Sequence, residues 1–95
     1  MRKYEVMYIV RPDLEEDATK ATIERFQSVV TDNGGEVEKV EEMGRRRLAY
    51  EIDDYREGYY VLMYIQAGPE AVSELERLFN ISEDVIRHIA VKEDE

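Results

Sequence analysis

The sequence predicts one α+β domain whose elements follow the order strand, helix, strand, strand, helix, strand. Alternating apolar residues mark four extended segments, apolar residues at helical spacing mark two helices, and glycine or proline lies at most of the boundaries. Right-handed crossovers then give a split β-α-β arrangement, a four-stranded antiparallel sheet with both helices on one face. With 95 residues, 43% of them hydrophobic, the chain supports one core, so a single domain over 1–95 is expected.

The first half of the chain contains a strand followed by a helix. Apolar residues recur on alternate positions from Lys3 to Val10, and Pro12 ends this strand because it lacks a backbone donor. Asp13 followed by Glu16 has the spacing of a capping box at the start of the helix. The helix ends at Asn33-Gly34-Gly35, residue types that tolerate the left-handed conformation. Its apolar stripe is Thr22, Ile23, Phe26, Val29 and Val30.

The second half contains three strands and the second helix. Gly44 interrupts the second strand and predicts a bulge, and Asp53 to Glu57 is a polar turn. Pro69 suits the first position of the second helix, whose stripe includes Leu75 and Phe79. The first and third strands are the most apolar and are therefore expected at the centre of the sheet. The strands are predicted at Glu36–Ile52, Gly58–Ala67 and Val85–Val91.

The sheet face without helices is expected to carry an apolar patch, because the first and third strands are apolar on both faces. The third strand offers Tyr60, Leu62 and Tyr64 to one face and its other apolar residues to the opposite face. Such a patch is a candidate protein-partner site, although ordinary exposed apolar surface is the alternative. The candidate partner residues are Met7, Ile9, Tyr59, Val61 and Met63.

Charge is distributed unevenly along the chain. The net charge of −10 would repel phosphate at long range, yet Arg45, Arg46 and Arg47 are consecutive in the second strand. If Leu48 and the alternate residues after it face the helices, Arg46 lies at the core rim, while Arg45 and Arg47 point to the open face. Guanidinium groups suit phosphate oxygens. The alternative is protection of an edge strand, with the arginines paired to acids such as Glu41, Glu42 and Glu51.

Several function classes are disfavoured by composition. The chain has no cysteine and one histidine, His88, which is interpreted as a structural strand residue. It has no glycine-rich phosphate loop and no nucleophile elbow, so neither an enzyme, a cofactor nor a small-molecule substrate is expected. The longest uncharged apolar run, Tyr59 to Ile65, is too short to span a membrane, which favours a cytoplasmic protein without membrane contact.

Four segments resemble the bacterial ribosomal small-subunit protein six family. The opening resembles that family's start, Gly44 to Ile52 matches the most specific part of its central signature, and two later segments match its pattern. The segments are Arg2 to Val6, Val37 to Ile52, Gly58-Tyr59-Tyr60 and Ile86 to Lys92. The resemblance implies a ferredoxin-like fold and a structural constituent of the small ribosomal subunit.

The resemblance also implies binding to small-subunit ribosomal RNA, together with a heterodimer with small-subunit ribosomal protein eighteen, a basic partner. The basic residues within the matching motifs are expected to contact backbone phosphate rather than bases. They are Arg2, Arg45, Arg46, Arg47, Arg87 and Lys92.

Two alternatives share the topology. An RNA-recognition motif stacks bases on aromatic residues of its central strands, but Glu57 would place an acid against the nucleotide. A regulatory ferredoxin-like domain that associates with itself through its sheet is the other alternative.

Overall fold

A computed structural model describes residues 1–93 and has the predicted element order. The sheet order is β2-β3-β1-β4 with every neighbouring pair antiparallel, so β1 and β3 are central as predicted. The elements are β1 Arg2–Val10, α1 Glu16–Asp32, β2 Glu36–Ile52, β3 Tyr55–Ala67, α2 Pro69–Ile81 and β4 Val85–Lys92.

The main core lies between the sheet and the two helices. At its centre the rings of Tyr8, Phe26 and Phe79 are tilted against one another, with centroids 4.5 to 5.4 Å apart. Offset and tilted aromatic packing of this kind adds to the stabilisation from apolar burial. Further fully buried residues of this core are Val6, Val10, Val30, Val61, Met63, Ile65 and Leu75.

The helix ends confirm two of the three sequence signals. Gly34 takes a positive φ of 83° after α1, and Gly68-Pro69 begins α2 with proline in the first turn. The capping box is wrong, because α1 starts after Glu15 and has no side-chain cap. Asp13 instead binds the guanidinium of Arg11 at 2.7 Å, a charge-assisted contact that is stronger than a bond to a neutral amide.

The β2–β3 hairpin is longer and more sharply turned than the sequence suggested. Asp53 and Asp54 both have positive φ, 50° and 67°, which forms a two-residue turn and lets β3 begin at Tyr55. The bulge predicted at Gly44 is confirmed by a register shift and a φ of 80°. β1 pairs with β3 only from Tyr59 onward, so the tip of the hairpin projects past the central strand.

None of the helices in residues 1–93 is both long enough and apolar enough to cross a membrane.

Candidate protein and nucleic-acid interface

The sheet face opposite the helices carries an apolar patch. The register fixes its members, because Met7 lies opposite Leu62 while the neighbouring pair, Tyr8 and Val61, belongs to the helix-side core. Ile89 and Val91 of the edge strand are 52% and 48% exposed, and the other members are half-buried. We define the open-face patch as Met7, Tyr60, Leu62, Tyr64, Ile89 and Val91.

Three predicted partner residues do not lie in this patch. Val61 and Met63 are fully buried beneath the helices, and Tyr59 packs against the same core from its rim. The predicted placement of these three on the open face is therefore wrong. Alternation could not decide between two apolar sets on β3, and only the pairing of Val61 with Tyr8 shows which set faces the helices.

The two predicted partner residues of β1 have different surroundings. Met7 is half-buried within the open-face patch, where a partner could cover it. Ile9 lies on the same face of β1 but is only 3% exposed, because the end of the sheet covers it near Gly58 and Ile86. Ile9 is therefore not available as a partner contact in this conformation.

Carboxylates lie beside the open-face patch. Glu5 is opposite Tyr64, and Glu41 is opposite Leu62 and binds Lys39 at 2.7 Å. The pKa of the Tyr64 phenol is raised by burial and by the negative charges of Glu41 and Glu5. The patch is thus apolar at its centre and carries two carboxylates at its margin, where Lys39 lies opposite Tyr64 and pairs with Glu41, so Glu5 is the carboxylate open to a cationic side chain of a partner.

Arg45, Arg46 and Arg47 have the opposite orientation from the one predicted. Arg45 is paired with Tyr59 and donates from Nη2 to the Pro12 carbonyl at 2.8 Å, so it lies on the helix side. Arg46 is paired with Gly58 and lies on the open side, and Arg47 returns to the helix side. The prediction assumed that Leu48 faces the helices, whereas Leu48 is buried outside the helix-side core.

The acids near the arginine run have other partners. Glu42 accepts a hydrogen bond from Tyr59, Glu51 binds Arg56 at 2.9 Å, and Glu41 binds Lys39. Within residues 1–93, no ion pair involves any of the three arginines, and all three are exposed. The alternative in which neighbouring acids neutralise the run is therefore wrong for the described part of the chain.

The other predicted RNA contacts lie at the two ends of the sheet. Arg2 is opposite Ala67 and Lys92 is opposite Tyr4, so these two exposed cations share the end remote from the hairpin. Arg87 is opposite Ile9 at the other end. There its Nη1 donates to the Tyr50 hydroxyl, and its guanidinium carbon lies 5.7 Å from the Tyr50 ring centroid.

His88 has the structural role expected of it. Its ring stacks on Phe79 with centroids 5.0 Å apart, and Nε2 lies 3.1 Å from the Asn80 side-chain oxygen. Across residues 1–93, no group of three or more histidine, aspartate or glutamate side chains could hold a metal ion.

The sequence interpretation missed five members of the open-face patch as partner residues. Two signals could have identified them. Glu5 shares a face of β1 with Met7, which indicates that this face reaches solvent. On the edge strand β4, Ile89 lies on the face opposite to that of His88, which indicates that Ile89 faces away from the helices. The missed residues are Tyr60, Leu62, Tyr64, Ile89 and Val91.

Comparisons with known proteins agree with the fold and with the resemblance. The family model described as Ribosomal protein S6 matches residues 3–92. Small ribosomal subunit protein bS6 of Exiguobacterium sibiricum is 57% identical over 94 residues, which are 99% of each chain. The crystal structure of 30S ribosomal protein S6 from Thermotoga maritima has a TM-score of 0.92 and 31% identity, covering 97% of this chain and 87% of that one. The chain therefore belongs to the ribosomal protein S6 family.

Proposed function

We propose that this small-subunit ribosomal protein binds small-subunit ribosomal RNA through its arginine run while small-subunit ribosomal protein eighteen covers the open-face patch. The observation that carries the proposal is three consecutive exposed guanidinium groups without carboxylate partners in residues 1–93. In a chain of net charge −10 with acids close to the run, cations left without an ionic partner indicate an external anion.

The arginine run suits contact with phosphate rather than with bases. Successive side chains of a strand point to opposite faces, so Arg46 and its two neighbours extend to either side of the hairpin. The arginine run could therefore contact two phosphate groups of a folded RNA, one on each side of the hairpin. Such contacts fix the position of a protein on RNA without reading its sequence. The role of this protein would then be structural, holding RNA segments in place.

The open-face patch supports a basic protein partner. Apolar side chains at its centre supply contact area, while Glu5 at its margin favours cationic side chains. A basic partner would also contribute much of the phosphate neutralisation that an acidic chain lacks. This is the arrangement that the family resemblance implies, a heterodimer on ribosomal RNA.

One observation supports a second candidate function. Tyr60 and Tyr64 lie on the open face of a central strand, where an RNA-recognition motif stacks bases. However, Glu5 lies opposite Tyr64, and Glu41 is close enough to raise the pKa of that phenol. Lys39 lies on the other side of Tyr64 and pairs with Glu41, so Glu5 is the carboxylate that would repel an adjoining phosphate, and we favour a protein partner on this face.

The experiment compares two triple variants with the same change in charge. Arg45, Arg46 and Arg47 are changed together to alanine, and the control changes Lys20, Arg25 and Arg77 on the helices. Binding of each chain, with protein eighteen, to a central-domain fragment of small-subunit RNA is measured over a range of salt concentrations. The hairpin variant should bind more weakly. The slope of the logarithm of its binding constant against the logarithm of the salt concentration should fall in magnitude by roughly 0.7 to 0.9 for each phosphate contact removed.

The control variant should bind like the parent chain with an unchanged salt slope. If the two variants behave alike, the arginine run has no specific role in RNA binding. If the chain without protein eighteen binds single-stranded RNA tightly and with base preference, the recognition-motif function is correct instead.

A further inference from the structure

The base of the β2–β3 hairpin packs closely against the end of the sheet on its open side. A Cβ atom placed on Gly58 would lie 2.2 Å from Ile9 Cγ2 and 3.6 Å from Ile86 Cδ1. Side chains from β1 and β4 therefore occupy the space above this glycine. The hairpin can approach them only because residue 58 has no side chain.

Two apolar residues near the hairpin, Leu48 and Ile9, are buried outside the helix-side core. Leu48 is 7% exposed but does not belong to the helix-side core. It follows Arg47 directly, at the point where the pairing of β2 with β3 becomes irregular. Ile9 is also buried outside the helix-side core and lies against Gly58. The close approach of Gly58 to Ile9 and Ile86 thus packs the base of the hairpin on the sheet independently of the helix-side core.

The contact between Tyr50 and Arg87 joins the two edge strands of the sheet. Tyr50 belongs to β2 and Arg87 to β4, and β3 and β1 lie between them. Three strand spacings of about 4.8 Å would separate those edges by about 14 Å in a flat sheet. The Arg87 guanidinium nevertheless lies over the Tyr50 ring and donates to its hydroxyl. The two long side chains thus connect the hairpin to the opposite edge strand across the open face.

We propose that Tyr50 and Arg87 form a clasp that holds the arginine-bearing hairpin over the sheet end and so orients Arg46 and Arg47 toward RNA. The orienting part of this proposal rests on the proposed function. Tyr50 is then a positioning residue, carrying no charge of its own. Arg87 serves the clasp rather than acting as an independent phosphate contact, which revises its expected role.

The first test measures amide hydrogen exchange in the full-length chain carrying Tyr50→Ala, Arg87→Ala or both substitutions. Exchange of hairpin amides at 47–56 should rise roughly two- to fivefold, the factor that corresponds to loss of an exposed cation–π contact. Amides of central β3 residues such as Met63 should be unchanged. The double variant should match the single ones, because each single substitution already removes the contact.

Two variants act as controls for the exchange experiment. In Arg25→Ala, a guanidinium that lies 5.1 Å from the Phe26 ring centroid is removed from the helix side, and hairpin exchange should not change. In Tyr50→Phe, the aromatic ring is retained, so the exchange rates of the hairpin amides should be close to those of the parent chain. Unchanged exchange in both alanine variants, or equal effects of Arg25→Ala, would overturn the clasp.

The second test measures RNA affinity of the same variants with protein eighteen across salt concentrations. Tyr50→Ala and Arg87→Ala should each weaken binding by a similar factor and leave the salt slope unchanged, because neither removes a phosphate contact. A slope reduced by roughly 0.7 to 0.9 in Arg87→Ala would assign that residue to a phosphate and overturn its place in the clasp. If the alanine variants exchange hairpin amides faster but bind RNA with the affinity of the parent chain, the clasp does not orient the arginines.

The two proposals can fail separately. If alanine at positions 45–47 leaves RNA binding intact, the proposed function fails, while hydrogen exchange still decides whether the clasp exists.

Discussion

Ile9 Cγ2 occupies the space that a Cβ atom on Gly58 would fill, 2.2 Å from where that atom would lie. The glycine has no positive φ, so its requirement is steric rather than conformational. This contact is where the main sheet meets the hairpin that carries the arginine run. Because residue 58 has no side chain, the strand that pairs with the arginine run can lie close to Ile9.

Gly58→Ala should lower the free energy of unfolding by about 1 to 3 kcal/mol, the usual cost of overpacking. The added methyl must displace Ile9 or the hairpin backbone. Denaturant unfolding followed by circular dichroism measures the change. Gly68→Ser is the control, since that position has open space and begins a helix, and its stability should change by no more than about 0.5 kcal/mol. Equal stability of both variants would contradict the proposed packing.

The sequence predicted the element order because its local signals are strong. Gly68-Pro69, the bulge at Gly44 and the apolar stripe of α1 each specify structure within a few residues of themselves. The faces of β3 could not be predicted in the same way. Both alternating sets of that strand are apolar, and the choice between them depends on register with β1, a contact distant in sequence.

The orientation of the arginine run failed for a related reason. The prediction took Leu48 as a helix-facing residue because it is apolar, and it is indeed buried. Its burial, however, lies outside the helix-side core, where the pairing of β2 with β3 is irregular beyond Arg47. Tyr50 and Arg87 are 37 positions apart on the two edge strands, so no spacing within the sequence could reveal their contact.

Tyr8→Phe should leave stability unchanged or raise it by up to about 1 kcal/mol. The Tyr8 hydroxyl is buried and has no hydrogen-bond partner among residues 1–93, so the folded chain bears an uncompensated desolvation cost. The ring would keep its contacts with Phe26 and Phe79. Thermal or denaturant unfolding measures the difference.

Tyr59→Phe is the matched control for that substitution. The Tyr59 hydroxyl donates to Glu42 at 3.0 Å, so its removal should cost a few tenths of a kcal/mol, up to about 1. A larger loss from Tyr8→Phe than from Tyr59→Phe would show that the Tyr8 hydroxyl is satisfied in solution.

Stability should fall in alkaline solution. Burial raises the pKa of Tyr8, Tyr59 and Tyr64 above the ordinary value of 10.0, with nearby glutamates adding to each shift. The native state therefore holds these protons when the unfolded chain releases them. The stabilisation is complete below about pH 10 and is lost as the pH rises toward the native values. Free energies of unfolding between about pH 8 and pH 11 test this.

Single phenylalanine variants separate the contributions of these tyrosines. Each variant should show a shallower decline of stability above about pH 10 than the parent chain. A titration followed by tyrosinate absorbance should also show fewer tyrosines that ionise at a pH above the ordinary range. If all variants decline in parallel with the parent, alkaline unfolding arises elsewhere in the molecule.

Leu62→Arg should prevent protein eighteen from docking while the fold survives. Leu62 lies opposite Met7 within the open-face patch, and both are half-buried in the free chain. A guanidinium there would replace apolar contact area at the centre of the patch, could pair with Glu41 on the neighbouring strand, and would repel a basic protein. A loss of about 2 kcal/mol or more of binding free energy is expected. Sedimentation of the mixed proteins measures it, and circular dichroism reports on the fold.

Ile81→Arg is the matched control, because Ile81 is 64% exposed at the end of α2, away from the open face. It makes the same change in charge and should leave the complex intact. If Ile81→Arg disrupts the complex and Leu62→Arg does not, the partner binds the helix side. Sedimentation of the chain alone tests the remaining alternative: a dimer of this chain that Leu62→Arg dissociates would mean that the open-face patch serves self-association. If the parent chain is monomeric alone and forms a complex that only Leu62→Arg disrupts, the patch is a surface for a basic partner.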